Sequence, residues 1–247
     1  MTIAARGQAP RGTRTGLRRA GLATGGVAVA ASVGLMTYPL WRDWCLTWGA
    51  AGDEPTRTLP GDDLLENPEL LSTRAISIDA SVGDTWLWLA QMGSGRGGVY
   101  TYDWIENLFG LHMHSADVVL PQFQNIQVGD AQQLGKKGPV LRVAVADPES
   151  ALVFRSDDGN WVWAFCLVDE GTGTRLISRN RIVTPGASWI SRAFYRFVME
   201  PGSLVMERKM LLGIKERAER LARGSEGQTT LAVRDTTAPE WESKGMI

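Results

Sequence analysis

From Val128 to Pro185 the chain reads as a run of short apolar segments, each closed by a turn signal, and few folds accept that pattern. Val140–Ala146 is followed by Asp147-Pro148-Glu149, and Ala151–Arg155 by Asp157-Asp158-Gly159. Asn160–Val168 is followed by Glu170-Gly171-Thr172-Gly173, and Thr174–Val183 by Pro185-Gly186. Links this short join antiparallel neighbours, because a parallel crossover needs a dozen or more residues. In Trp161–Val168 both alternating sets are apolar, so this strand is covered on both faces or lines an apolar cavity. In Arg175–Ile182 one set is Arg175, Ile177, Arg179 and Arg181, and its arginines are expected to face solvent.

The meander is followed by helical periodicity. Ser188–Val198 reads as a short helix. A second one is expected to begin at Pro201, which suits a first turn, and to end at Gly224. Leu204, Leu211, Ile214, Ala218 and Leu221 share one face, with Glu207, Arg208, Lys215, Glu216 and Arg217 elsewhere. At 1.5 Å per residue this helix is roughly 33 Å long, enough to cross a whole sheet. Met206 and Met210 are expected in the core. Before the meander, Thr73–Asp79 alternates as a strand, Val82–Met92 recurs at helical spacing, and Tyr102–Leu111 reads as a second short helix.

The residues able to do chemistry concentrate between Trp86 and Gln124. Gly93–Gly98 is not a phosphate loop, since no Lys-Ser/Thr follows and no buried strand precedes it. His112-Met113-His114 lacks a third ligand at metal-binding spacing, so no metal and no cofactor are expected. Asp103 with His114 is an acid–base candidate pair, with Arg96 and Tyr100 beside it, the alternative being a helix-capping Asp and a loop-bonding His. Asp62-Asp63 reads as an exposed turn pair. Cys45 and Cys166 read as small buried hydrophobes, and a bridge between them stays open.

The amino terminus is a separate matter. The first 42 residues carry six arginines and no acid, and Ala20–Trp41 carries no charge at all. Some 20 apolar residues span a bilayer core, and Tyr38 and Trp41 sit where interfacial aromatic anchors belong. The leading expectation is a single-pass membrane anchor with the domain outside the cytoplasm. A cleaved export signal and a soluble helix are the alternatives. Residues 1–19 and 225–247 are expected to be disordered, 20–42 to span the membrane, 43–72 to form a linker, and 73–224 to form the domain. The net charge of −1 argues against a nucleic-acid partner.

Three segments agree in order with one family. STRAISIDASVGDTWLWLAQMGSGRGGVYTYDWIENLFGLHMHSAD, then WVWAFCLVDEGTGTRLISRNR, then VMERKMLLGIKERAE resembles an actinobacterial-type branch of the SRPBCC (START/polyketide cyclase-like) superfamily. The resemblance implies an α+β helix-grip fold: a curved antiparallel sheet wrapped around a long C-terminal helix, with two short helices closing one end of a cavity. Trp161, Trp163 and Phe165 would face that cavity, and Arg96, Tyr100, Tyr102, Asp103 and His114 would meet what enters it. The implied partner is a hydrophobic or amphipathic small molecule or lipid, bound without covalent chemistry. A cyclase or dehydratase acting through the same residues, or a protein-interaction module, are the rival readings, because fold alone does not set function.

Overall fold

A computed structural model describes residues 37–108, 114–134 and 138–236. The chain divides into two compact units, residues 1–44 and residues 45–247. Residues 37–46 are helical (α1). Among the described residues no helix is long and apolar enough to cross a membrane. Residues 20–36 of the expected span and the expected disordered stretch 1–19 lie outside the described residues.

The second unit is built on one six-stranded antiparallel sheet in the order β1-β6-β5-β4-β3-β2. The strands are β1 (Leu70–Ile78), β2 (Ala131–Gln133), β3 (Val140–Asp147), β4 (Ala151–Ser156), β5 (Trp161–Asp169) and β6 (Thr174–Ile182). The turn-punctuated meander supplies β3 to β6, and β1 closes the order by pairing with β6 over its full length. Residues opposite one another in a ladder share a face. Trp163 faces Asn180, Phe165 faces Ser178, and Arg74 also faces Ser178, which sets these groups on one side.

A long helix grips that side. α4 (Trp189–Phe194) runs through a π turn (Tyr195–Met199) into α5 (Glu200–Thr236) without a break. The two expected helices are therefore continuous. Pro201 has no N–H to give the carbonyl four residues back, and the wider turn just before it absorbs the gap, with Glu200 N donating to Tyr195 O. Nor does Gly224 end the helix: the backbone stays helical to Thr236, where a disordered tail was expected from 225, and residues 237–247 lie outside the described residues. Met210, Leu211, Ile214 and Ala218 are buried at helical spacing in one cluster with Phe165, Leu176 and Ile78, and Leu204 is buried one turn earlier. Met206 is only half-buried.

Two shorter helices complete this side, α2 (Val82–Ala90) and α3 (Asp103–Leu108). Ser81 caps α2: its Oγ accepts from Asp84 N at 3.0 Å and donates to the Asp84 carboxylate at 2.7 Å. The loop between the helices touches α5 at Gly213, where an added Cβ would lie 2.6 Å from Tyr100 O. A glycine is required there for close approach rather than for its φ.

The opposite face corrects two expectations. Arg175, Arg179 and Arg181 are not solvated. The stretch read as a linker crosses this face as a strap. Asp62 Oδ2 accepts from Arg179 at 2.6 Å, Asp62 Oδ1 from Arg181 at 3.0 Å, and Glu54 takes a two-pronged bond from Arg175 at 2.8 Å per prong. Strap carbonyls of Glu54, Arg57, Leu65 and Glu66 satisfy the remaining guanidinium protons. Asp62 is thus a half-buried ion-pair centre rather than an exposed turn acid. Alternation correctly put the arginines on one face but could not say what covered it. Leu59, Ala75, Cys166 and Ile177 form a small apolar cluster beneath the strap.

Candidate functional site

The helix side of the sheet is apolar except at one end, where charge is buried. Arg74 and Glu207 form an ion pair there, with the Arg74 side chain fully buried and Glu207 nearly so. Each partner is saturated. Arg74 also donates to Cys45 O at 3.0 Å and to Ser203 Oγ at 3.1 Å. Glu207 also accepts from Ser178 Oγ at 2.5 Å and from Asn180 Nδ2 at 3.2 and 3.3 Å. A buried pair seldom stabilises a fold more than apolar residues of the same volume would. Its presence needs another account.

Trp161 and Trp163 stand over this cluster. Their rings stack at 5.7 Å with an interplanar angle of 18°. Trp161 Nε1 donates to Asn180 Oδ1 at 2.9 Å, and Trp163 Nε1 donates to Ser178 Oγ at 3.0 Å. Both indoles are half-buried, so their polar edges are fixed inward while ring surface stays accessible. An apolar wall with a few convergent polar groups is what amphipathic ligands use. The site therefore lies at the Trp161 end of β5, beside the first turns of α5.

The other expected site residues do not join it. Phe165 is fully buried and packs edge-on against Phe154, so it belongs to the core. Arg96 donates to the carbonyls of Ala90 and Phe123 at 3.0 and 2.9 Å and lies over the Phe123 ring, which makes it a brace for its own loop. Tyr100 is buried, donates to Trp88 O at 2.9 Å and sits under Arg217; burial pushes its phenol well above the usual range, so it holds its proton. Tyr102 is half-buried with the Lys209 ammonium 6.0 Å from its ring centre. Both oxygens of Asp103 are taken by Ser115, at 2.9 Å from the amide and 2.6 Å from the hydroxyl. His114 is exposed, and among the described residues it makes no bond to Asp103. The geometry gives no acid–base pair. His112 and Met113 lie outside the described residues, which contain no cluster fit to hold a metal.

Sequence patterning did not single out Arg74, Glu207, Ser178 or Asn180, although a signal was there. Each is a polar residue standing in phase with an apolar set: Arg74 with Ile76 and Ile78, Ser178 and Asn180 with Leu176, and Glu207 with Leu204 and Leu211. Cys45 and Cys166 are free and buried; burial lifts the Cys166 thiol to about 11, which leaves it protonated and unreactive near neutral pH. A separate groove of about 350 Å³ lies by Arg142, Arg155, Asp157 and Asp158. Arg142 is already paired with Asp157 there, and Asp158 accepts from Ser156 and Asn160.

No family model and no curated protein matches this chain. Solved structures do. The KanY protein is 15% identical, with a TM-score of 0.42 over 61% of this chain and 97% of that one. A Polyketide_cyc-like protein from Corynebacterium glutamicum is 17% identical, with a TM-score of 0.31 over 64% of this chain and 93% of its own. An AHSA1-like protein from Aeromonas hydrophila is 13% identical, with a TM-score of 0.35 over 62% and 94%. Polyketide cyclase-like and AHSA1-like proteins belong to the SRPBCC superfamily. At these values the likeness carries no activity. The helix-grip assignment rests on the strand order and on the one face that α5 covers.

Proposed function

We propose that the domain binds a hydrophobic or amphipathic small molecule or lipid against Trp161 and Trp163, without covalent chemistry, and that residues 20–42 hold it at a membrane. The observation that carries the reading is the stacked, half-buried tryptophan pair set over a saturated Arg74–Glu207 cluster on an otherwise apolar face. The accessible ring surface suits an acyl chain or fused ring. The absence of an Asp103–His114 bond among the described residues is why binding is preferred to acid–base catalysis.

Mass spectrometry of an organic extract of the purified protein tests this. A stoichiometric apolar compound is expected, and it should be depleted in Trp163→Ala. An extract without such a compound, together with no saturable binding of an environment-sensitive fatty-acid probe, would sink the proposal.

A further inference from the structure

The helix that leads into α5 is apolar, and among the described residues its large apolar side chains stay exposed. Residues 188–199 read SWISRAFYRFVM, with two arginines and no acid. Trp189 is 79% exposed, Ile190 61%, Phe194 52% and Val198 52%. Elsewhere on this unit the described exposed large apolar side chains are scattered, as at Leu71, Trp104, Val118, Val128 and Val168. A soluble surface rarely concentrates aromatic and aliphatic groups in this way. Trp and Phe with Arg on a helix without acids is the composition of a segment lying in a bilayer interface.

The helix runs into the first turn of α5, where Ser203 Oγ accepts from Arg74. The Trp161 site lies beside that turn, since Asn180 and Glu207 belong to it.

We propose that the helix through residues 188–199 lies on the surface of a lipid bilayer bearing anionic headgroups. Trp189, Ile190, Phe194 and Val198 enter the interfacial layer, and Arg192 and Arg196 meet the lipid phosphates. Arg192 is held only loosely, by an exposed pair with Glu69 at 3.4 Å.

The test uses the full chain in vesicles of phosphatidylcholine and phosphatidylglycerol. A nitrobenzoxadiazole label at Ile190→Cys is compared with one at the exposed Thr172→Cys, in the β5–β6 turn at the far end of the sheet. The native cysteines are buried. Quenching by headgroup-region nitroxide lipid is expected at position 190 and not at 172. It should weaken when phosphatidylglycerol is omitted, and in the Phe194→Ser, Val198→Ser variant. Equal quenching at both positions, or none at 190, overturns the proposal. Energy transfer between labels on different molecules in place of lipid quenching would show a second copy as the cover, and that too overturns it. Alkaline extraction reads the anchor separately. Protein that extracts while position 190 is quenched removes the anchor and supports the interfacial helix. Protein that stays in the pellet with position 190 unquenched does the reverse.

Discussion

Asp62→Ala is expected to be among the most destabilising single changes in the strap. Asp62 holds two guanidinium groups and the amide of Leu59, at 2.6, 3.0 and 3.0 Å. The Arg179 and Asp62 side chains are 2% and 13% exposed, so solvent neither screens the pair nor replaces the lost carboxylate. Removing one partner of such a buried pair costs about 3–5 kcal/mol. The remaining partners keep the value at the lower end. Arg179 retains Thr73 Oγ1 and two carbonyls, and Arg181 retains two carbonyls. For a domain of this size each kcal/mol shifts Tm by roughly 2–4 °C, so a fall of about 6–12 °C is expected. Urea unfolding followed by tryptophan fluorescence gives the free energy, with an unchanged m-value confirming that stability alone moved. Asp157→Ala is the internal control. Its pair with Arg142 is about half exposed on both sides, so its loss is expected to move stability far less than that of Asp62. If Asp62→Ala costs no more than Asp157→Ala, the strap is not an electrostatic clamp and the reasoning fails.

Three further outcomes follow from the same contacts. The Arg175 bond holds the Glu54 carboxyl below its ordinary 4.5, so Glu54 contributes stability above that pH and loses it as pH falls through the depressed value. The stability gap between wild type and Glu54→Gln should be about 2 kcal/mol near neutral pH, begin to narrow as pH falls towards 4.5 and close only below the depressed value, as read by urea melts across pH. Glu207→Leu should cost about 3–5 kcal/mol because Arg74 is left buried and unpaired, whereas Arg74→Met with Glu207→Leu should recover most of the loss in thermal melts. Gly213→Ala pushes a Cβ to 2.6 Å from Tyr100 O and should cost about 1–3 kcal/mol, with increased solvent exposure around Tyr100 read by hydrogen exchange.

Local chemistry made much of this fold legible. Turn residues after each apolar segment located β3 to β6, and the Leu204–Ala218 periodicity located the face of α5. The contacts between distant segments were not legible. Three arginines on one alternating set of β6 are compatible with solvent or with a carboxylate strap, and only the fold brings Asp62 to Arg179 across 117 residues. The same applies to Glu207. On a helical wheel it is a charge among leucines, and its partner lies 133 residues away. For the site, the Trp161 and Trp163 expectation rested on the doubly apolar strand, and the structure gives them a half-buried stack. The Asp103 and His114 expectation rested on residue type alone, and a nearer hydroxyl took the carboxylate.

Whether Trp161 and Trp163 form a ligand wall rather than surplus core is tested most directly by titrating a fatty-acid probe into the full chain. Saturable binding at one site per chain is expected, weakened by about tenfold or more in Trp163→Ala, which corresponds to about 1.4 kcal/mol. Binding should be unchanged in Trp104→Ala, whose side chain is exposed. Equal affinity in both variants, or no saturable binding by a correctly folded wild type, would contradict the ligand wall.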